Sequence, residues 1–266
     1  MKITQSYYPH IHFGTTTRFY KDDNNDEVGT NSWLLRNDID WQKLVAFELE
    51  NFKTKDKVNV IQFAASDGSE AFTKLIAMEE HGSNEFEKFY PFQAYDIDYE
   101  ITKAARSGLI NCIPNDYKRF EEAGIEFKKY FWECIGNLNI KNDNMYTIYN
   151  VPRTTFQVNP KIHNRVVFHN DDMLDIVKQI KDDSNTIVMA RNVMLYMQEN
   201  DIEKFTTILS ERLKPGSLFI LGSLDTDNSH ILKYLDNGGF KEVMPFVFRK
   251  EKPLNTNKSS QNSKLN

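Results

Sequence analysis

The sequence predicts an α/β fold in which a mostly parallel sheet is flanked by helices on both faces. Short runs rich in Val, Ile and Phe alternate with stretches where apolar residues recur at helical spacing. Small or polar residues follow several of the apolar runs, as is typical where a strand turns into a helix. The 266 residues, of which 40% are hydrophobic, suffice for one large domain with a sizeable core.

The first predicted element is a helix that begins at Trp41. Leu44 and Val45 repeat with Trp41 at helical spacing. Either Asp38 or Asp40 could cap the first turn of this helix, because both carboxylates precede its first apolar residue.

Strands and helices then alternate towards the end of the chain. The strands are predicted at residues 58–65, 92–97, 165–169, 186–191 and 218–221, and the helices around residues 71–76, 101–106, 173–180 and 202–213. Strands rich in Val and Ile with helices between them indicate a parallel sheet whose two faces are both covered.

Residues 30–250 are predicted to form this domain. Residues 1–29 show no clean period and are interpreted as an irregular N-terminal arm. Residues 111–150 interrupt the alternation and are rich in aromatic side chains, which predicts a small inserted subdomain. Its aromatic residues could either pack a core or form a docking site for a peptide. Residues 251–266 are predicted to be a disordered tail, because they cannot bury enough apolar surface to become ordered.

Charge and cysteine content exclude several classes of protein. Lys and Arg number 33 against 38 Asp and Glu, and the net charge of -5 gives no general attraction for nucleic acid or acidic lipid. We therefore expect no nucleic-acid partner and no membrane insertion. Only Cys112 and Cys134 are cysteines, and residues 1–14 lack the apolar run of a signal peptide, so we expect a reducing, cytoplasmic location. We also expect a monomer.

Candidate site residues lie where the predicted strands end. In an open parallel sheet, ligands bind outside the carboxyl ends of the strands. The first strand is followed by small and polar residues at 64–70, where the backbone can approach a ligand closely. The second ends at Asp96, which is placed to accept hydrogen bonds from two ribose hydroxyls. Residues 170–172 follow the third strand, and Arg191 and Asn192 end the fourth.

This pattern favours a nucleoside cofactor without phosphates. The dinucleotide fingerprint G-x-G-x-x-G is absent because Ala64 and Ser66 stand where glycines are needed, and no phosphate-binding G-x-x-x-x-G-K-[ST] loop occurs. A site for S-adenosylmethionine needs only a backbone segment that approaches the cofactor closely, a carboxylate that binds the ribose and a contact for the adenine. We therefore predict an S-adenosylmethionine site, with Ala64 and Gly68 in the loop that approaches the cofactor.

The histidines do not predict a metal site. His10 and His12, and likewise His163 and His169, lack a neighbouring cluster of Cys or carboxylate residues at ligand spacing. Methyl transfer from a sulfonium needs no metal, so these side chains are interpreted as structural or solvated.

Several segments together resemble the CheR family, the chemotaxis receptor methyltransferases that act on protein glutamates. Residues 190–197, A-R-N-V-M-L-Y-M, resemble the family signature C-R-N-V-L-I-Y-F. Further segments resemble the cofactor-binding runs and the N-x-T-x-F-F-R arm of the family, and they lie at residues 30–36, 63–70, 95–98, 166–174 and 213–223. The likeness covers most of residues 30–250, in order and at similar spacing.

The resemblance implies a Rossmann-like class I methyltransferase fold that binds S-adenosylmethionine and releases S-adenosylhomocysteine. It also implies that Arg36 pairs with the carboxylate of the cofactor, with Thr30 and Ser32 as further contacts. Glu70 would face the methionine amino group and Asp96 the ribose.

The remaining implied roles lie at the third and fourth strand ends. Asp172 and Met173 would contact the adenine side of the cofactor, and Arg191 and Asn192 its sulfonium end. Tyr196 would lie near the transferred methyl group, so Arg191 and Tyr196 are the predicted catalytic residues. Arg191 could also orient the acceptor carboxylate through its guanidinium.

The chain departs from the family at some of these positions. Residues 34–35 are both leucine where the family has an aromatic pair, and Arg18 is an alternative to Arg36. Asp172 replaces an asparagine of the family, and Asp225 replaces a glutamate.

The resemblance makes O-methylation of a protein glutamate the leading hypothesis, with the acceptor docked on residues 111–150. A glutamate is already ionised at neutral pH, so this reaction requires no general base. Residues 1–29 show no helical period where the family has a helical N-terminal domain, which argues against the strict chemotaxis form. The alternatives are a methyltransferase of a small molecule or of another protein, and a binding module without catalytic activity.

Overall fold

The structure is a computed structural model that describes residues 32–134 and 154–251. The predicted arm at residues 1–29, Thr30, the predicted tail from residue 252 and part of the predicted inserted subdomain lie outside the described residues. No helix in the described ranges is both long and apolar enough to cross a membrane.

The described residues form strands and helices in alternation. The strands are β1 Asn59–Phe63, β2 Phe92–Asp96, β3 Leu109–Cys112, β4 Phe131–Glu133, β5 Thr154–Val158, β6 Val166–Asn170, β7 Thr186–Ala190, β8 Leu218–Leu221, β9 Phe240–Met244 and β10 Val247–Lys250. The helices are α1 Trp41–Asn51, α2 Ser69–His81, α3 Tyr99–Ser107, α4 Pro114–Glu122, α5 Pro160–His163, α6 Met173–Ile176, α7 Glu199–Arg212, α8 Ser223–Thr226 and α9 Ser229–Asn237. Single turns of 3-10 helix lie at Val177–Gln179 and Met194–Tyr196.

The main sheet has seven strands in the order β6-β2-β1-β7-β8-β10-β9. The pairs β6 with β2, β2 with β1, β1 with β7 and β7 with β8 are all parallel. The hairpin of β9 and β10 closes one side of the sheet, and β10 runs antiparallel to β8. The predicted fold class, a mostly parallel sheet flanked by helices, is confirmed.

The direction of strand addition reverses between β1 and β7. From β1 the chain adds β2 and then β6 on one side, whereas β7 and β8 are added on the other side. Such a reversal opens a crevice at the carboxyl ends of the two central strands, because the connections leave to opposite faces of the sheet. The crevice between β1 and β7 is therefore where a ligand is expected.

Two apolar clusters hold the layers together. On one face, Leu44 of α1 and Phe72 and Leu75 of α2 are completely buried. On the other face, Phe205 and Leu209 of α7 are completely buried among strand residues. Burying one such side chain contributes about 1.5–3 kcal/mol, so both faces stabilise the central strands and fix where they end.

Some predicted boundaries are wrong by one or a few residues. The helix predicted at residues 173–180 is α6 followed by a separate 3-10 turn. The strand predicted at 165–169 lies one residue later, at β6, because Asn170 continues the pairing with β2 at Asp96. The strand predicted at 186–191 ends at Ala190, since the chain turns there and Asn192 takes a left-handed φ of 53°.

A separate small sheet has the order β3-β5-β4 and is antiparallel throughout. Aromatic rings pack on one of its faces: Phe127 stacks on Phe131 with centroids 4.6 Å apart and meets Phe156 edge-on at 5.1 Å. Core packing thus accounts for these rings of the predicted inserted subdomain. Trp132 differs from these rings, because its side chain is 49% exposed. It lies on β4, an edge strand of the small sheet.

Candidate functional site

The loop after β1 takes an unusual backbone conformation. Ala64 and Ser66 have left-handed φ values of 50° and 52°, and Gly68 has a φ of 86°. Only glycine adopts this region without strain, and strained residues cluster at functional sites. A Cβ atom on Gly68 would lie 2.7 Å from the ring of Phe168 and 2.8 Å from that of Phe72, so this position also has no room for a side chain. The predicted loop residues Ala64 and Gly68 therefore form a tight turn into α2.

Asp96, at the end of β2, binds this loop. Its carboxylate accepts hydrogen bonds from the backbone N–H of Ser66 at 2.7 Å and of Asp98 at 2.9 Å. Burial raises the pKa of Asp96 to about 6 in spite of these two donors. Each carboxylate oxygen accepts one backbone N–H and so keeps capacity for a second donor. That capacity suits the two hydroxyls of a ribose.

Glu70 and Arg191 join the two sides of the crevice. Glu70 lies in the first turn of α2, and its Oε1 accepts a hydrogen bond from Nη1 of Arg191 at 2.6 Å. Gln62 of β1 approaches the other oxygen of Glu70 with its amide nitrogen at 3.4 Å. The side chain of Arg191 is fully buried. Two residues predicted from separate strand ends thus form one ion pair across the point where strand order reverses.

Asp38 is the second partner of Arg191. Its Oδ1 accepts a hydrogen bond from Nη2 of Arg191 at 2.5 Å, and its Oδ2 lies 3.3 Å from the hydroxyl of Ser223 at the start of α8. Burial raises the pKa of Asp38, but the guanidinium of Arg191 and the hydrogen bonds more than offset this, so the pKa is lowered. Asp40, and not Asp38, caps α1, by accepting from the backbone N–H of Lys43 at 3.0 Å.

Both terminal nitrogens of Arg191 therefore donate to carboxylates of this chain. Burial alone would lower the pKa of Arg191, but Glu70 and Asp38 raise it, so the guanidinium is held firmly in its charged form. Nε is the nitrogen of Arg191 that has no hydrogen-bond partner among the described residues. The prediction that Arg191 orients an acceptor carboxylate remains a prediction. A guanidinium carries five N–H donors, so Nε and the second N–H of each terminal nitrogen are the donors that Glu70 and Asp38 do not use.

Asn192 and Asp225 join the ends of β7 and β8. Asn192 accepts a hydrogen bond from the backbone N–H of Leu224 at 3.1 Å. The buried carboxylate of Asp225 accepts from the backbone N–H groups of Asn192, Leu195 and Gly222. Burial raises the pKa of Asp225 to about 6 despite these donors. The turn that carries Arg191 and Asn192 is thus fixed by a carboxylate on the neighbouring strand end.

Tyr196 lies on the 3-10 turn that follows this strand end. Its ring is half-buried against the cluster around α7. Its backbone N–H donates to the carbonyl of Val193 at 3.0 Å, which closes the turn. Its predicted position near the transferred methyl group remains a prediction.

Arg36 belongs to the segment that carries Asp38. The guanidinium of Arg36 lies over the ring of Trp33 with its Cζ 4.4 Å from the ring centroid, and its carbonyl accepts from the indole N–H of Trp41 at 2.9 Å. The backbone N–H of Leu35 donates to the hydroxyl of Thr73 on α2 at 2.9 Å, which attaches the segment to the main domain. Ser32 is half-buried at the start of the described residues.

Asp172 and Met173 lie at the end of β6, two strands away from β1. Asp172 caps α6 by accepting from the backbone N–H of Leu174 at 2.7 Å, and burial raises its pKa. Met173 is buried in the apolar cluster on the α7 side of the sheet. Within the described residues no hydrogen bond joins the Asp172 side chain to Asp96 or Arg191, but the backbone N–H of Asp171 donates to the carbonyl of Asp96 at 3.1 Å, so the two strand ends adjoin.

Buried polar atoms test whether this crevice fits the implied cofactor. Within the described part of the chain, Ser66 Oγ, Gln62 Oε1 and Arg191 Nε are buried and have no hydrogen-bond partner. Such atoms are costly unless a ligand or water satisfies them. All three belong to β1, to the loop after it or to the end of β7, where a nucleoside carrying an amino acid would supply both donors and acceptors. The residues present therefore fit S-adenosylmethionine.

Three of the residues that shape the site are not among the site residues predicted from the sequence. Asp38 was considered only as a helix cap, because no local pattern links it to an arginine 153 positions away. Gln62 lies inside an otherwise apolar strand. A polar residue at such a position is the sequence signal that could have indicated its place in the site. Asp225 lies in α8, the helix that follows β8, and the rule that predicted Asp96 and Arg191 also applies to this strand end.

Comparison with known families agrees with the resemblance. Residues 128–234 match the family model described as CheR methyltransferase, SAM binding domain. The resemblance to this family and the S-adenosylmethionine cofactor are thereby confirmed. No curated protein sequence matches the chain significantly.

Comparison with solved structures returns matches at low similarity. Magnesium protoporphyrin IX methyltransferase from Synechocystis PCC 6803 with bound SAM is 11% identical, the match covers 78% of this chain and 74% of that chain, and the TM-score is 0.36. A putative S-adenosyl-L-methionine-dependent methyltransferase from Methanococcus maripaludis is 11% identical, with 80% and 86% covered and a TM-score of 0.39. Precorrin 8w decarboxylase from Methanobacterium thermoautotrophicum is 12% identical, with 84% and 80% covered and a TM-score of 0.38.

Proposed function

We propose that this chain, an S-adenosylmethionine-dependent methyltransferase with a CheR-type cofactor-binding domain, methylates the carboxylate of a glutamate in another protein. The observation that carries the proposal is the family match over residues 128–234. That range includes β7 and the turn with Arg191 and Asn192, where the sequence also follows the family signature.

The chemistry of a carboxylate acceptor agrees with the groups in the crevice. When bound, S-adenosylmethionine supplies an electrophilic methyl group on a sulfonium. An oxygen lone pair of the acceptor carboxylate forms the new O–C bond while the C–S bond breaks, and the electron pair of that bond stays on sulfur. No proton moves, because a glutamate with a pKa of about 4.3 is ionised at neutral pH. The reaction therefore needs positioning and exclusion of water rather than a base.

The residues of the chain would supply that positioning. Asp96 would hold the ribose, while Glu70, fixed by Arg191, would hold the methionine amino group. Aligning two reacting groups in a fixed geometry is a large source of rate enhancement. The buried Glu70–Arg191 pair supports this proposal, because its members cannot move independently of α2 and β7.

A protein acceptor is supported by the small sheet. Trp132 is 49% exposed on β4, and a large exposed aromatic residue is typical of sites that bind another protein. The rings of Phe127, Phe131 and Phe156 are used in packing, so Trp132 is the aromatic side chain that remains available in the described part of this sheet. We propose that the acceptor protein docks on this sheet.

Transfer of a labelled methyl group tests the proposed function. We expect purified protein and methyl-labelled S-adenosylmethionine to label a protein in lysate of the source cells, and the label to be released as methanol by mild base, because esters hydrolyse. Asp96→Ala serves as the control with reduced cofactor binding. A base-stable label on protein would show a nitrogen or carbon acceptor and contradict the proposal, and a label found only in the small-molecule fraction would show a small-molecule acceptor.

A further inference from the structure

The two carboxylates around Arg191 point to a role for Asp38. Arg191 is fully buried and donates to Glu70 at 2.6 Å and to Asp38 at 2.5 Å. We propose that Asp38 is a positioning residue that neutralises the Arg191 guanidinium, so that the site accepts the positively charged sulfonium cofactor in preference to the uncharged thioether product. The inference rests on the proposed methyl transfer from S-adenosylmethionine, and it concerns how this chain distinguishes the cofactor before transfer from the cofactor after it.

The charges of the site show why such a residue is needed. The resemblance assigns Arg191 to the sulfonium end of the cofactor, and two positive groups close together in a buried site repel each other. Arg36, Arg191, Glu70 and Asp38 together carry no net charge. S-adenosylmethionine carries one net positive charge, whereas S-adenosylhomocysteine carries none. Without Asp38, the four positions would be positive by one unit, which disfavours the sulfonium and leaves the product almost unaffected.

The structure makes Asp38 suitable for this role. Its side chain is 19% exposed, whereas that of Arg191 is completely buried, so Asp38 lies at the open side of the ion pair. Burial raises its pKa, but Arg191, Ser223 and Arg36 lower it below the ordinary value, so the carboxylate is ionised at neutral pH. Ser223 approaches Oδ2 while Arg191 binds Oδ1, which fixes the carboxylate from two sides.

Asp225 and Asp40 do not replace Asp38. Asp225 also acts on Arg191 electrostatically, but its oxygens accept three backbone N–H groups at the ends of β7 and β8. Asp40 lies only two residues from Asp38, yet it is exposed and caps α1. Asp40 therefore provides a matched control, because it is the same residue type in the same segment without contact to Arg191.

The test compares the affinities of S-adenosylmethionine and S-adenosylhomocysteine, each titrated separately by calorimetry into the full chain. In Asp38→Asn we expect the affinity for S-adenosylmethionine to fall roughly five- to tenfold relative to that for S-adenosylhomocysteine, because one partly buried unit charge is lost. Asp40→Asn should leave the ratio unchanged. Ser223→Ala loosens the Asp38 carboxylate but keeps its charge, so it should weaken both ligands equally if it weakens them at all.

Each outcome decides the question. Equal weakening of both ligands in Asp38→Asn would show a purely structural role and overturn the proposal, as would no change in either affinity. Asp38→Glu retains the charge and should restore the preference for S-adenosylmethionine relative to Asp38→Asn. If Asp38→Asn does not fold, Asp38→Ser serves as the neutral variant with the same expected ratio. If the unchanged protein binds neither ligand, the proposed function itself is wrong.

Discussion

Buried carboxylates in the crevice differ in pKa because their partners differ. Asp38 contacts a guanidinium, which holds its pKa below the ordinary value. Among the described residues, Asp96 accepts hydrogen bonds only from backbone N–H groups, so burial dominates and raises its pKa to about 6. A group that titrates near 6 is sensitive to a ligand that donates hydrogen bonds to its ionised form. Asp96 is therefore the residue at which cofactor binding and protonation compete most directly.

Replacing Asp96 tests its role in the crevice. In Asp96→Ala we expect at least a tenfold loss of affinity for S-adenosylmethionine, because two charge-assisted hydrogen bonds to the ribose, each worth about 1.5–3 kcal/mol, are lost. Calorimetry of the folded variant measures the change. Glu100→Ala, which removes an exposed carboxylate on α3, is the matched control and should bind normally. Unchanged affinity in Asp96→Ala would remove Asp96 from the site.

At the residue scale, the sequence predicts the parts of the site that follow parallel strands. Glu70, Asp96, Arg191 and Asn192 were found because the carboxyl ends of such strands meet at one edge of the sheet. Asp38 could not be found in this way, because it precedes a helix and contacts Arg191 only after the chain has folded. An ion pair between residues far apart in the chain produces no periodic pattern in a single sequence.

Element α2 depends on the turn that starts it. Gly68, just before the helix, and Gly82, just after it, both have left-handed φ values, of 86° and 73°. A Cβ atom on Gly82 would meet nothing within 4 Å, whereas one on Gly68 would meet two aromatic rings at under 3 Å. An alanine at either position would strain the backbone, but only an alanine at Gly68 would also overlap neighbouring atoms. Comparing the two substitutions therefore distinguishes backbone strain from steric overlap.

We expect Gly68→Ala to lower the unfolding free energy by about 1–3 kcal/mol more than Gly82→Ala does, since only the first variant forces Phe72 and Phe168 to move. Urea denaturation of both variants measures the difference. Gly68→Ala should also weaken cofactor binding, because the displaced turn carries the Ser66 N–H that Asp96 binds. Equal destabilisation by the two substitutions would show that the rings adapt freely to an added methyl group.

At the element scale, the sequence predicts the five parallel strands of the main sheet but not its antiparallel strands β9 and β10. The central parallel strands β7 and β8 are nearly continuous apolar runs because both faces of the sheet are covered there. In β9 the central residues are the exposed Lys241 and Glu242, and in β10 the last two are Arg249 and Lys250. Charged residues on the edge strand β9 disfavour association with other chains, but in both β9 and β10 such residues weaken the strand signal.

Across the whole molecule, three buried carboxylates link stability to pH. Burial raises the pKa values of Asp67, Asp96 and Asp225 from 3.8 to about 6. Folding therefore favours the protonated forms, and the stability from these groups is complete below pH 3.8 and is lost as the pH rises through about 6. Asp38 acts in the opposite direction, because its lowered pKa adds stability that is lost as the pH falls.

Asp67→Asn tests this linkage. The amide oxygen of the variant can still accept the backbone N–H of Ser69, as Asp67 does at 3.0 Å, but it cannot ionise. We expect the melting temperature of the variant to fall less between pH 5 and pH 7 than that of the unchanged protein. Asp56→Asn, at an exposed position, should leave the pH dependence as it is. An identical pH profile for Asp67→Asn would show that Asp67 ionises normally in the folded chain.

The central claim is that the crevice between β1 and β7 holds S-adenosylmethionine with its ribose on Asp96, its amino group at Glu70 and its sulfonium end at Arg191. A crystal structure of the full chain with S-adenosylhomocysteine tests it most directly. The predicted result is ribose hydroxyls within hydrogen-bond distance of the Asp96 carboxylate and the homocysteine amino group beside Glu70. A nucleoside bound elsewhere, or bound in the crevice without contact to Asp96, would contradict the account.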